Sequence, residues 1–195
     1  GHSYPNDKVV FNGTLYFNAI DGTHGTELWK SDGTAAGTVL VKDINPGAVH
    51  SYPDYFAVFS GTLYFKANDG VHGYELWQTN GTAAGTVLVK DIYPGAEGSF
   101  PDYFTVFNDA LYFNADDGTH GKELWKLVEA PVPCDARVAP NPTTPPRVCL
   151  GQPLPVTFST LGNCPSPPPG AFVVQLSSAS GSFANPTVLG SAAPG

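Results

Sequence analysis

The sequence predicts an all-β protein: four-stranded, propeller-blade-like repeats of 48 residues, followed by an incomplete antiparallel β-sandwich. Three observations carry this expectation. Residues 1–48 and 49–96 are identical at 34 of 48 positions with no gap, and Leu15-Tyr16-Phe17 returns as Leu63-Tyr64-Phe65 and Leu111-Tyr112-Phe113. Apolar residues fall in short aromatic and β-branched runs bounded by turn residues, with no helical periodicity. Of the 19 prolines, 12 lie between residues 131 and 169, which marks a change of architecture.

Each unit opens with a predicted hairpin. In the second unit Tyr55–Phe59 and Thr62–Phe65 flank Ser60-Gly61, and the first unit has Asn12-Gly13 there, a strong type I′ signal. The third has Asn108-Asp109, weaker but still turn-forming. A turn-rich loop, Asn68–Gly73, leads to Tyr74–Trp77, and Asn80–Gly85 then connects to Thr86–Ile92. Leu76, Val87 and Val89 suit a core face. Tyr93-Pro94-Gly95 and the Ser-x-Pro of Ser51-Tyr52-Pro53 punctuate the join to the next unit.

The expected organisation is three tandem β units over residues 1–127 (1–48, 49–96 and 97–127), a stiff Pro-rich linker over 128–147 and a partial sandwich over 148–195. The third unit is expected to lack its last strand, because Val128-Glu129-Ala130-Pro131 replaces the repeat after Trp125-Lys126. Leu154–Ser159, Ala171–Ser177 and Pro186–Gly190 read as strands of the sandwich. An immunoglobulin-like sandwich takes about 100 residues, so this one is expected to be incomplete. Such units cannot bury both faces alone, so more repeats, an open stack or neighbouring molecules are expected to cover them.

A net charge of −8 and a pI near 4.8, with scattered basic residues, exclude a phosphate-reading surface and so a nucleic-acid partner. No apolar run approaches the ~20 residues of a membrane-spanning helix, so membrane insertion is not expected. The chain contains no methionine and starts in phase with its repeat, which points to a processed chain or a piece of a longer one.

The three cysteines, Cys134, Cys149 and Cys164, are spaced unlike a zinc site. A Cys149–Cys164 disulfide is one reading, with Cys134 odd, and buried free thiols are the other. Asn12 and Asn80 open formal N-glycosylation sequons, and Thr143 and Thr144 lie in a Pro/Thr stretch suited to O-linked sugar. The Asp-Gly-x-His-Gly loops (Asp21 and His24, Asp69 and His72, Asp117 and His120) could hold a metal, yet three equal copies favour a turn requirement of every unit. They also lack the dense oxygen ligands of a Ca²⁺ loop. Trp29, Trp77 and Trp125 read as repeat core rather than sugar platforms. No nucleophile elbow and no paired-acid motif occurs, so the chain is expected to be no enzyme and to need no cofactor.

Glu27-Leu28-Trp29-Lys30-Ser31-Asp32-Gly33-Thr34 resembles the signature of the ELWxxDGT repeat (hyalin-like repeat) of secreted bacterial surface proteins, with Asn80 departing from its Asp. Residues 148–192 are similar to immunoglobulin-like domains of type IX-secreted surface proteins. Together the resemblances imply an extracellular or cell-surface, multi-domain protein and supply no catalytic motif. The leading expectation is an extracellular structural protein that self-associates into a filament or matrix by strand or domain complementation. The runner-up is a carbohydrate-binding or adhesion module whose partners are glycans.

Overall fold

A computed structural model of the chain describes residues 2–129 and, as backbone, two further strands. The first unit is an antiparallel meander of β1 (Asn6–Phe11), β2 (Thr14–Ile20), β3 (Thr26–Ser31) and β4 (Val39–Lys42). The second repeats it with β5 (Asp54–Phe59), β6 (Thr62–Asn68), β7 (Tyr74–Thr79) and β8 (Val87–Lys90). The third contributes β9 (Asp102–Phe107), β10 (Ala110–Asp116) and β11 (Lys122–Glu129). The fold is thus all-β, in three antiparallel sheets. Among the described residues no helix is long and apolar enough to cross a membrane.

Turn chemistry fixes the hairpins. Both central residues have positive φ in all three, Asn12-Gly13 (49°, 75°), Ser60-Gly61 (49°, 73°) and Asn108-Asp109 (45°, 54°). That is the type I′ requirement, and its twist matches that of the flanking strands. The Asp-Gly-Thr word ties a second knot. Asp32 Oδ1 accepts the Thr34 amide (2.9 Å) and hydroxyl (2.7 Å), and Thr34 Oγ1 accepts the Gly37 amide (2.9 Å). Asn80 serves equally well because its amide oxygen takes the same two bonds from Thr82 (3.0 and 2.7 Å). A Cβ at Gly37 would stand 1.9 Å from Asp32 Oδ1, which accounts for the glycine.

Successive sheets pack face to face. One face of the first unit (Phe11, Tyr16, Leu28, Val41 and Ile44) meets the opposite face of the second (Leu63, Phe65, Ala67 and Trp77) in one buried core. The same join recurs one unit on, where Phe59, Tyr64, Leu76, Val89 and Ile92 meet Leu111, Phe113, Ala115, Trp125 and Leu127. Neighbouring residues of one strand therefore enter different cores, Leu76 one and Trp77 the other, because side chains alternate across a pleated sheet. Val87 is only half-buried, while Leu76 and Val89 are core.

β11 is not the edge of the third sheet. A distant strand, β12 (Phe172–Leu176), pairs antiparallel with β11, and β13 (Thr187–Ser191) pairs with β12. The register copies that of the complete units: Trp125 lies opposite Leu176 as Trp29 lies opposite Leu40 and Trp77 opposite Leu88. The third unit thus obtains its fourth strand from beyond the proline-rich stretch. Two runs read from sequence as sandwich strands are placed on this sheet. The first two residues of the expected 128–147 linker, Val128 and Glu129, are strand instead, because they pair with Val173 and Phe172 of β12. Residues 130–147 and the rest of 148–195 lie outside the described residues.

A buried carboxylate clasps each join. Glu27 accepts the Ile44 amide (2.8 Å), the Ser51 amide (3.0 Å) and the Ser51 hydroxyl (2.6 Å). Glu75 accepts the amides of Ile92 (3.1 Å), Tyr93 (3.1 Å) and Ser99 (2.9 Å) and the Ser99 hydroxyl (2.5 Å). Both glutamates are fully buried, so these bonds replace the water each group loses. Burial nevertheless pushes both carboxyls up to about 7, against the pull of the serine hydroxyls and amides. A carboxyl whose pKa rises on folding holds its proton more tightly in the folded chain. Its contribution is complete below the ordinary value of 4.5 and is lost as pH rises toward 7.

Unfolding free energy from urea titrations is therefore expected to fall between pH 4.5 and pH 7, with Glu75→Gln flattening part of that slope. Glu75→Ala, which strands buried donors, is expected to cost at least about 2 kcal/mol. A wild-type profile that rises across this window would contradict the assignment.

Candidate functional site

The two ends of the three-unit stack expose the two halves of the interface buried twice inside it. On the first unit Leu15, Phe17 and Trp29 are only half-buried, whereas their counterparts Leu63, Phe65 and Trp77, and again Leu111, Phe113 and Trp125, are sealed in cores. An open cavity of about 640 Å³ lies over Leu15, Phe17, Ala19 and Trp29. On the third unit Phe107 is 60% exposed and Leu124 37%, against 2% and 6% for Phe11 and Phe59 and 0% for Leu28 and Leu76. The polar clasp is open at both ends as well. Ser3, the counterpart of Ser51 and Ser99, is exposed, and among the described residues no carboxylate reaches its hydroxyl. Glu123, the counterpart of Glu27 and Glu75, is only half-buried, and the residue 24 positions after it is Arg147 instead of serine.

The Asp-x-x-His loops are built identically three times. Asp21 Oδ1 accepts the amides of Thr23 and His24 (both 2.8 Å), and Oδ2 meets His24 Nδ1 at 2.7 Å. Asp69 with His72 and Asp117 with His120 repeat the 2.7 Å contact. The loop glycine lets the next unit's chain cross over. A Cβ at Gly25 would stand 2.1 Å from the Val49 carbonyl oxygen, and one at Gly73 2.6 Å from the Gly98 nitrogen. At Gly121, where no such crossing occurs, a Cβ would meet nothing within 4 Å. Among the described residues no group of three or more His, Cys, Asp or Glu is placed to hold a metal.

Trp77 and Trp125 sit in the two cores and Trp29 lines the open end cavity. Asn12 is exposed in a type I′ turn, and Asn80 is exposed with its oxygen committed to Thr82. Cys149, Cys164, Thr143 and Thr144 lie outside the described residues. The Glu–Ser clasp escaped the sequence reading, although glutamate opens all three Glu-Leu-Trp words and serine follows it by 24 residues in two of them.

Comparison with known protein families, with curated proteins and with solved structures returned no match in any of the three. The bond to His24, joined by two backbone amides, holds Asp21 at about 2, and the same bond raises His24 above the usual imidazole range. A histidine raised on folding contributes stability below its unfolded value, and loses it as pH climbs through the folded one. An NMR titration is expected to show His24, His72 and His120 all deprotonating above 6.5, with Asp21→Asn shifting His24 alone back down. Three unshifted histidines would show that the pairs do not persist in solution.

Proposed function

We propose that this is an extracellular structural protein whose propeller-blade-like units stack end to end into a filament or matrix. The single observation that supports this most is the complementarity of the exposed ends. The open face of the first unit is the half-interface that Leu124 and Phe107 of the third unit lack, and Ser3 is the donor that Glu123 lacks. A second copy of this chain would supply both. Such a contact is head to tail, and it propagates unless the rotation between units closes a ring. The first strands approach one another most closely between units, β1 beside β5 and β5 beside β9, in keeping with blades that converge on one side. The extracellular setting is supported by the resemblance of the repeat words to those of secreted surface proteins.

Each docking event would complete the burial of Leu15, Phe17 and Trp29, gaining less per side chain than the value for a fully exposed one, about 1.5–3 kcal/mol, before the costs of association. Strand exchange at the third sheet is not needed, since β12 already occupies that edge.

Sedimentation of the full chain over a concentration series is expected to show mass rising in steps of one 20.5 kDa subunit, with electron microscopy separating filaments from rings. Trp29→Glu and Leu124→Glu are each expected to stop growth while keeping the β circular dichroism. Mixed together, these two variants retain one good face each and are expected to form a heterodimer and nothing larger. A wild-type chain that stays monomeric at high concentration would overturn the reading.

A further inference from the structure

The first and second units agree at most positions, so differences that cluster in space are informative. In the first unit two of the residues concerned serve the join, Asn18 donating to the Pro53 carbonyl (2.8 Å) and Thr26 Oγ1 meeting His50 Nδ1 (2.9 Å). Three differences fall together in space. The second unit has Tyr55, Lys66 and Tyr74 where the first has Asp7, Asn18 and Thr26. Lys66 Nζ lies 4.6 Å from the ring centre of Tyr55 and 5.2 Å from that of Tyr74, and it pairs with Asp54 at 3.2 Å. Tyr74 in turn packs on Phe100 at 5.3 Å. On the neighbouring strand β9, Tyr103 repeats Tyr55 and stands beside the Asp102–Lys122 pair.

The backbone under Tyr55 is held in an unusual state. The β5–β6 register slips between Asp54 and Ala57, which makes Tyr55 part of a β-bulge, and its φ is +55°. The β9–β10 ladder slips likewise, and Tyr103 also has φ +55°. Bulges of this kind normally place glycine at a left-handed position, and asparagine or aspartate tolerates it. Asp7 of the first unit, at φ +42°, is such a tolerant residue. A tyrosine there costs on the order of 1–2 kcal/mol, and packing returns little of it, since Tyr55 is 44% and Tyr103 71% exposed. The bulge instead turns both rings outward.

Beside Tyr55 the surface is concave. A cavity of about 350 Å³ between β1 and β5 is lined by Asp7, Lys8, Asp54, Tyr55 and Phe56. It thus combines an aromatic wall with two carboxylates and an ammonium, and its size falls in the range of small-molecule sites. A dry protein interface concentrates apolar side chains and excludes charge from its centre, whereas here Lys66 sits between two of the rings. A polyanion is disfavoured by the net charge of −8. A pyranose ring suits this mixture: its C–H face stacks flat on a phenol ring, and the hydroxyls around its edge both donate to carboxylates and accept from ammonium groups.

We propose that the β1–β5 cavity and the aromatic shelf running from it to β9 form a glycan-binding groove, with Tyr55 and Tyr103 stacking successive pyranose rings and Asp7, Asp54 and Lys8 holding hydroxyls. Lys8 lines both this groove and the end cavity, whereas Tyr55 lines only the groove and Trp29 only the end cavity, so substitutions at those two residues break the two activities independently.

The test is calorimetric titration of the full chain with cellohexaose, chitohexaose and laminarihexaose. Tyr55→Asn and Tyr103→Asn put at the bulge the uncharged relative of the residue the first unit already uses. Both are therefore expected to fold, with a melting temperature equal to or above wild type. At least one oligosaccharide is expected to bind saturably, and each variant is expected to weaken it tenfold or more. Trp29→Glu is expected to leave that binding unchanged. Absence of saturable binding to all three sugars, or binding indifferent to both tyrosine variants, overturns the proposal. So does a pattern in which the tyrosine variants reduce only self-association, which would make the shelf a protein contact.

Discussion

Everything in this structure follows from a sheet that has no watery side. In the Glu-Leu-Trp word the leucine enters one core and the tryptophan the next, so each unit presents a large apolar surface on both faces. One unit alone would leave both in water, and its meander would gain far less from burial than it loses in chain entropy. Stability is then a property of neighbours. That explains why several of the unit's polar features lie at the joins. Glutamate reaches the following unit's serine, and Gly25 and Gly73 clear the path of the incoming chain. Lys30 and Lys42 likewise reach across to carbonyl oxygens of Gly81 and Thr86 at 2.8 and 2.7 Å.

Much of this was legible in the sequence because it is local or periodic. Asn12-Gly13 announces its hairpin, and the 48-residue register defines the units without any knowledge of their packing. Trp77 and Trp125 lie in cores as a residue required once per unit suggests, whereas Trp29 lines the open end because no unit covers it. What stayed hidden was long-range. Nothing in Phe172–Leu176 marks it as the fourth strand of the third sheet, since an apolar strand reads the same whichever edge it joins. Nor does a glutamate beside a leucine announce its burial. Its partner lies 24 residues away in sequence and only the stacking brings the two together.

The capture of β12 bears on how such a stack is finished. An uncovered β11 would offer a row of unpaired amides and carbonyls to any extended chain. With β12 in the register of β4 and β8, the third sheet is completed at its edge while its outward face stays apolar. Edge and face are separate matters: β12 and β13 cover β11 and move the edge outward, while the face is left apolar. In the proposed stacking, association runs through the faces, which are shaped by the repeat itself.

Repetition also supplies an internal control that a single-copy protein lacks. Where near-identical units share a residue, the fold's own demands are a sufficient reason for it, as with the Asp–His pairs and the tryptophans. Where they diverge at positions that touch, those demands are no longer sufficient. Asp7 shows what the bulge accepts at little cost, and Tyr55 and Tyr103 show a costlier choice made in the other two units. The left-handed tyrosines are thus informative because a cheaper solution stands one repeat away. The strain is local to the bulge, the rings it turns out are exposed, and the lysines and aspartates around them would be poor company in a dry core. A surface with that composition is suited to hydroxyl-rich ligands, just as the apolar end faces are suited to more of the same fold.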